Sequence, residues 1–379
     1  MSYRIASFNI QKFGRTAVSH TASGETKKDV NTIAEIIRSN SLDIVAIQEI
    51  TNKEALKELL ERISFQYAEQ CSTDVLKRGN KDTGYIPIGA SVNEVFGYRT
   101  KHWEGRWAKP KSEYGGLISE GYAFIWNRDR VKLVTNMNGK SFEPRIADFG
   151  GYKSLVRPPF IGRFMPINGS YEFRLINTHI VYATPSKQLD EADDEDNEAA
   201  FMVSLKDYEL RQREFETLIT TIYNRFSRQQ FDITGHDKLA RYLVPYTFML
   251  GDYNLNLSNA KGQSVGVLGA ERENIDGVVT VNTGLTTLKG KPKDPEKQKS
   301  LREDPETDHH LANNYDHVTY NEHTFISHQI EDPQVDIIYA YEIYSHMETA
   351  EDSKFDIYKN RVSDHLPIYV EIDIRNRRR

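Results

Sequence analysis

The sequence predicts an α/β fold built in layers, and three observations predict it. Short apolar runs with strand patterning recur from the first residues to the last, amphipathic helical stripes lie between them, and no shift in composition divides the chain. A chain of 379 residues can enclose one large core, so a single domain over residues 1–379 is expected.

Arg4 to Ile10 sets Ala6, Phe8 and Ile10 against Ser7 and Asn9, the alternation of a strand. Val30, Ile33, Ala34 and Ile37 then recur at helical spacing, and "LDIVAIQE" reads as a buried strand that stops at Glu49. Thr51 and Glu54 have the spacing of a capping box ahead of a stripe of Ala55, Leu56, Leu59, Leu60 and Ile63. Further strands are expected at Tyr122–Trp126, Glu172–Val181, "TFMLGDYN" and "LPIYVEIDI", with one long amphipathic helix from Phe201 to about Phe226. Two hydrophilic inserts, near 183–200 and 289–312, interrupt this pattern and read as solvated loops.

The net charge of −6 gives no global electrostatic reason to bind a polyanion, although a local patch is not excluded by it. Cys71 is the only cysteine, which rules out an internal disulfide and a thiolate zinc cluster and fits a reducing compartment. "MSYRIASFNI" enters a strand without a basic region and apolar run, and no stretch reaches the length of a membrane span. An intracellular location away from membranes is the expectation.

Four apolar strands end in polar residues: Asn9, Glu49, Asn177 with His179, and Asp252 with Asn254. Asp364 and His365 stand where the last strand begins. In layered α/β proteins strand ends gather on one edge of a sheet, where ligands bind. A lone buried carboxylate costs several kcal/mol, so collecting Glu49, Asp252 and Asp364 on one edge makes sense mainly around a cation.

"FNIQKFG", "AIQEI", "NTH", "LGDYN" and "SDHLPI", in this order, resemble the endonuclease/exonuclease/phosphatase superfamily, to which deoxyribonuclease I, abasic-site endonucleases, sphingomyelinases and inositol-polyphosphate phosphatases belong. The resemblance implies a four-layered α/β sandwich, two mixed sheets face to face with helices outside. It implies that Glu49, Asn9 and Asp364 hold a divalent ion, Mg²⁺ with Mn²⁺ able to substitute, as a hard cation among oxygen donors suggests. It makes His365 and His179 the groups at the phosphate, Asp252 and Asn254 the pair that orients attacking water, and Glu120 the partner of His179. Asp316 in "YDHV" or Asp336 in "QVDI" would support His365, with Asp316 the closer match. Arg157 and Asn177 are candidates for contacts to substrate. A carboxylate behind each imidazole would keep both histidines charged near neutral pH.

Two substrate classes stay open. Lys77, Arg78, Lys81, Arg99, Lys101, Arg106, Lys109 and Lys111, with Trp103 and Trp107 among them, form either a surface for nucleic acid, DNA foremost, or an ordinary loop with its tryptophans in the core. A deoxyribonuclease-like endonuclease is the leading expectation. A phosphatase or phospholipase acting on inositol phosphates or sphingomyelin is the alternative, and "LGDYNLN" lacks the arginine usual after this motif in inositol phosphatases. A noncatalytic binding module is a third reading, which the full set of acids and histidines disfavours.

Overall fold

The structure is a computed structural model describing residues 2–14, 28–71, 95–110, 120–135, 141–147, 155–168, 171–180, 209–228, 244–256, 277–281, 284–289, 296, 310–328, 330–331, 333–349 and 352–374. Both hydrophilic inserts fall largely outside these residues.

Fifteen described strands form two mixed sheets. The first contains β1 (Ser2–Phe13), β2 (Ile44–Ile50), β3 (Glu69–Cys71), β4 (Val95–Arg99), β5 (Trp103–Ala108), β6 (Gly121–Asn127), β14 (Gln334–Ile337) and β15 (Ile368–Asp373), in the order β14-β15-β1-β2-β6-β5-β4-β3. The second is built from β7 (Val131–Leu133), β8 (Arg145–Ile146), β9 (Phe160–Pro166), β10 (Tyr171–His179), β11 (Val244–Asp252), β12 (Val278–Val281) and β13 (Asp316–Asn321), in the order β12-β13-β11-β10-β9-β7, with β8 also on β9. Each sheet has one parallel pair at its centre, β1 with β2 and β10 with β11. These strands are buried along nearly their whole length, as their near-continuous apolar sequence requires.

The sheets meet through aromatic side chains. Phe124 stacks on Phe160 at 5.1 Å, Trp126 meets Phe164 at 5.3 Å, and Tyr3 meets Phe173 at 5.6 Å. Helices α1 (Val30–Ser39) and α2 (Lys53–Ser64) lie outside the first sheet, burying the apolar stripes that their spacing predicts. Asp29 caps α1, but the cap of α2 is Asn52, which accepts from the Ala55 amide. Thr51 is one residue too early because its hydroxyl donates to the Phe13 carbonyl across β1 and β2. On the far face of the second sheet, α3 (209–228) sets Phe215, Leu218, Ile219 and Ile222 against Ile176 and Met249. Its middle turn, Leu218–Tyr223, is a π-helix, and the part predicted before residue 209 lies outside the described residues.

The buried Glu172 carboxylate ties α3 to the sheet by taking Arg163 at 2.7 and 2.8 Å and Arg174 at 2.6 Å, while Arg174 donates to the Phe226 and Ser227 carbonyls. Burial pushes the Glu172 carboxyl up, but the two guanidinium groups outweigh it and hold it below its ordinary value. A depressed carboxyl stabilises the fold above its unfolded pKa of about 4.3 and loses that contribution as pH falls through the folded value. Glu172→Gln leaves two buried cations short of a partner, and denaturant unfolding at pH 7 is expected to register a loss of about 3–5 kcal/mol. A change below about 1 kcal/mol would mean that the ion cluster contributes little.

The parallel pairs explain why one edge collects the chemistry. β1, β2, β10 and β11 end at Asn9–Phe13, Glu49, His179 and Asp252, while their antiparallel neighbours start at the same edge. Ile50 pairs with Gly121, Asp252 with Asp316, and Ser7 with Ile368, which brings Glu120, Asp316 and the 363–365 turn there. Gly251 makes the β10–β11 closure possible: its φ of 151° suits glycine, and a Cβ would lie 1.8 Å from the Thr178 carbonyl oxygen.

Candidate active site

Polar side chains from both sheets meet on this edge. Asn9 donates through Nδ2 to Glu49 Oε1 at 3.1 Å and to Asp252 Oδ2 at 3.0 Å, joining the two sheets. Glu49 has a positive φ of 59° at a register shift in β2, which turns its carboxylate back toward the Lys12 amide at 3.1 Å. Asp364 accepts from Gln11 Nε2 at 2.9 Å. Ser363 fixes the turn by donating to the Asn9 carbonyl at 2.6 Å and accepting from the His365 amide at 3.1 Å. Lys28 carries its ammonium within electrostatic reach of Asp364 and Glu49.

His365 is buried and its Nδ1 meets Asp316 Oδ2 at 2.8 Å, while Nε2 lies 3.6 Å from Asp252 Oδ2. Of the two acids considered for its support, Asp316 is in contact, whereas Asp336 sits exposed on the edge strand β14. Residues 286–288 hold this pair together: Thr286 accepts from the Asp316 amide, and Thr287 bridges His365. Burial disfavours the imidazolium, but Asp316 and Asp252 outweigh it and push His365 up to about 10. Asp252 is pushed up to about 7, chiefly by burial, with Asp316 and Glu49 adding to the rise and His365 opposing it.

His179 differs from expectation. Glu120 does not hold its Nδ1; Arg157 stands between them, with Nη1 2.8 Å from His179 Nδ1 and Nη2 2.9 Å from Glu120 Oε2. The Glu120 carboxylate is 3.6 Å from the ring, and the other ring nitrogen points to Asp252 at 3.5 Å and Glu49 at 4.0 Å. Burial, then Arg157 and His365, put this histidine well below its ordinary value, so it is neutral rather than the imidazolium that a carboxylate partner would maintain.

Two further expectations need correction. Asn177 is fully buried and its amide is engaged, donating to the Ile47 and Ala123 carbonyls and accepting from Gln48 Nε2 at 2.6 Å. It staples the two sheets beneath the site and does not face a substrate. Asn254 does not extend β11 beside Asp252, because the chain turns there with φ 49°, and its Nδ2 donates to the Ile180 carbonyl at 2.7 Å. Its backbone amide donates to Asp252 Oδ1 at 2.8 Å, so Asn254 acts on Asp252 rather than alongside it. Gln11, Lys28, Gln48, Thr286 and Ser363 escaped the sequence reading; "QE" and "VSDH" place Gln48 and Ser363 beside recognised residues, the only signal they carry.

The residues present fit a hard cation. Asn9 Oδ1 and Asp364 Oδ1 are buried oxygens with no hydrogen-bond partner among the described residues, and both belong with Glu49 to the expected ligand set. Buried acceptors of this kind are costly unless a cation or water meets them. Glu49, Glu120 and His179 form a second arrangement, with ligand atoms within 4.8 Å of one another. The Arg157 guanidinium pairs with Glu120 and meets His179 Nδ1 there, supplying positive charge without a metal, and Glu120 Oε2 is likewise a buried oxygen with no hydrogen-bond partner among the described residues.

The basic stretch is not a stacking surface where it is described. Trp103 and Trp107 are buried, with Trp107 donating to the Ile50 carbonyl at 3.1 Å, and Arg106 is buried against Glu143 and Glu104. Both faces of β5 are buried, so these side chains pack, while Arg99 at the end of β4 and Lys101 in the turn between the strands are exposed. Lys77, Arg78, Lys81 and Lys111 lie outside the described residues.

A scan against protein-family models gave no match, and no curated protein matches the chain. Among solved structures it is similar to an endonuclease/exonuclease/phosphatase family protein from Bacteroides thetaiotaomicron, at 14% identity and a TM-score of 0.48 with 99% of each chain covered. It is also similar to a B. thetaiotaomicron mannosyl-6-phosphatase, at 12% identity and a TM-score of 0.48 over 98% of this chain and 100% of that one. A third is D. rerio TDP2 complexed with a single-strand DNA product, at 13% identity and a TM-score of 0.45 over 98% and 99%. In the order of its motifs and in its two face-to-face mixed sheets, the chain resembles the endonuclease/exonuclease/phosphatase superfamily.

Proposed function

We propose that this protein is a divalent-cation-dependent phosphodiester hydrolase whose substrate is a nucleic-acid strand, DNA foremost. The observation that carries the reading is the gathering of Asn9, Glu49 and Asp364 at one sheet edge, two of them with unsatisfied buried oxygens, beside Asp252 and two histidines with opposite partners, Asp316 for one and Arg157 for the other. Asn9, Glu49 and Asp364 would hold Mg²⁺, which supplies Lewis-acid stabilisation of the developing charge on phosphate.

The chain's own groups do the rest. Asp252, raised toward neutrality, accepts the proton of a water whose oxygen forms the new bond to phosphorus as the ester P–O bond breaks. The His365 imidazolium donates to the phosphate and passes its proton to the leaving oxygen, balancing the proton that Asp252 takes. Lys28 and Lys12 add positive charge at the same edge.

A small phosphate ester is the second reading, favoured by the burial of Trp103 and Trp107, which removes the stacking surface from the argument for a polymer. Plasmid nicking with and without Mg²⁺, run beside release of inorganic phosphate from sugar and inositol phosphates, separates the two. Mg²⁺-dependent nicking is the expected result; phosphate release without nicking would transfer the site to monoesters.

A further inference from the structure

We propose that Arg157 is a positioning residue that locks His179 in the tautomer with its proton on Nε2, making this histidine a hydrogen-bond donor to the substrate and neither a general acid nor a general base. The inference deepens the hydrolase reading and rests on it only for its catalytic consequence. Its ground is donor and acceptor chemistry. A guanidinium nitrogen carries hydrogens and no available lone pair, and arginine stays protonated in proteins. The contact of 2.8 Å from Nη1 to His179 Nδ1 therefore requires Nδ1 to accept. A neutral ring that accepts at Nδ1 has its single proton at Nε2.

The surroundings hold both partners in place. Arg157 Nη2 is anchored on Glu120 at 2.9 Å, and both side chains are four-fifths or more buried. The groups facing the ring are Arg157 and Glu120 on the Nδ1 side, and Asp252, Glu49 and His365 on the other. Nε2 lies 3.5 Å from Asp252 Oδ2, which is also 3.6 Å from His365 Nε2. A phosphate oxygen entering there would meet two donors of different kinds: an imidazolium backed by Asp316 and a neutral N–H backed by Arg157. In this arrangement both terminal nitrogens of Arg157 are engaged, one on the ring and one on Glu120.

The test is ¹⁵N spectroscopy of the histidine side chains in the full-length, metal-free protein at pH 7, with the His179 signals assigned by their loss in His179→Gln. The expected result is an acceptor-type Nδ1 and a protonated Nε2. Protonation of both nitrogens, or of Nδ1 alone, overturns the proposal. If His179→Gln does not fold, the ring signals are assigned in the wild type by through-bond correlation from the His179 backbone, so the wild-type spectrum still decides. In Arg157→Met the Nδ1 resonance should change type or titrate, and Arg157→Lys, which keeps a donor, should restore part of it. If the protein cleaves phosphodiesters, Arg157→Met should lower kcat about 10–100-fold, the effect of losing the partner on a functional imidazole's second nitrogen, with KM little changed. A rise in KM at constant kcat would instead make Arg157 a substrate contact. Absence of any hydrolysis refutes the parent reading while leaving the tautomer to the spectrum.

Discussion

His365→Gln is expected to cut turnover by about 10²–10⁴-fold, the range for a positioned proton donor, while the protein stays folded. Glutamine is the informative replacement because it keeps a donor for Asp316, whose carboxylate is otherwise left buried without its 2.8 Å partner. Alanine would confound the two losses. The same pair sets a pH dependence. Burial opposes the charge on His365, but Asp316 and Asp252 prevail and its folded pKa is raised to about 10, against about 6.5 unfolded. A raised cationic group stabilises the fold fully below about pH 6.5 and loses that contribution as pH rises through about 10. Denaturant midpoints should therefore fall between neutral pH and pH 10 in the wild type and fall less in His365→Gln. Turnover within threefold of wild type would remove His365 from the chemistry.

Glu49→Gln should have an effect at least as large. The carboxylate takes its charge to the middle of the site, held by Asn9 Nδ2 and the Lys12 amide, and the amide isostere keeps the size while removing the charge. Losing several kcal/mol of Lewis-acid stabilisation at about 1.4 kcal/mol per decade gives a drop on the order of 10³-fold or more in kcat/KM. Excess Mn²⁺ should recover part of it, since Asn9 and Asp364 remain. A variant as active as the wild type at limiting Mg²⁺ would exclude Glu49 as a ligand. Glu120→Gln is the matched comparison, because its charge is already met by Arg157.

How much of this was legible in the sequence follows from how each residue acquires its position. Asn9, Glu49, His179 and Asp252 stand where apolar runs stop, and parallel central strands carry all four to one edge, so pattern alone locates them. Asp316 could not be separated from Asp336 by spacing, because the choice depends on register: Asp316 pairs with Asp252 across β11 and β13, while Asp336 pairs with Tyr369 at the sheet's outer edge. Asn177 shares its strand face with His179 as alternation requires, yet two residues of depth place it between the sheets, where Gln48 and two carbonyls engage its amide. Asn254 was misplaced because a left-handed turn, not a continuing strand, follows Asp252. Arg157 is a candidate substrate contact by sequence, but its place between Glu120 and His179 is a tertiary meeting with no periodicity behind it. Basic residues interleaved with tryptophan read the same in a binding loop and in a strand, and burial of Trp103 and Trp107 decided for the strand.

If residues from Asn9 to His365 close around one hard cation, crystals soaked in Mn²⁺ should show the ion by its anomalous signal. One strong peak contacted by Asn9, Glu49 and Asp364 is expected. A peak on Glu120 and His179 that displaces Arg157, or no peak on this edge at concentrations that support hydrolysis, would contradict it.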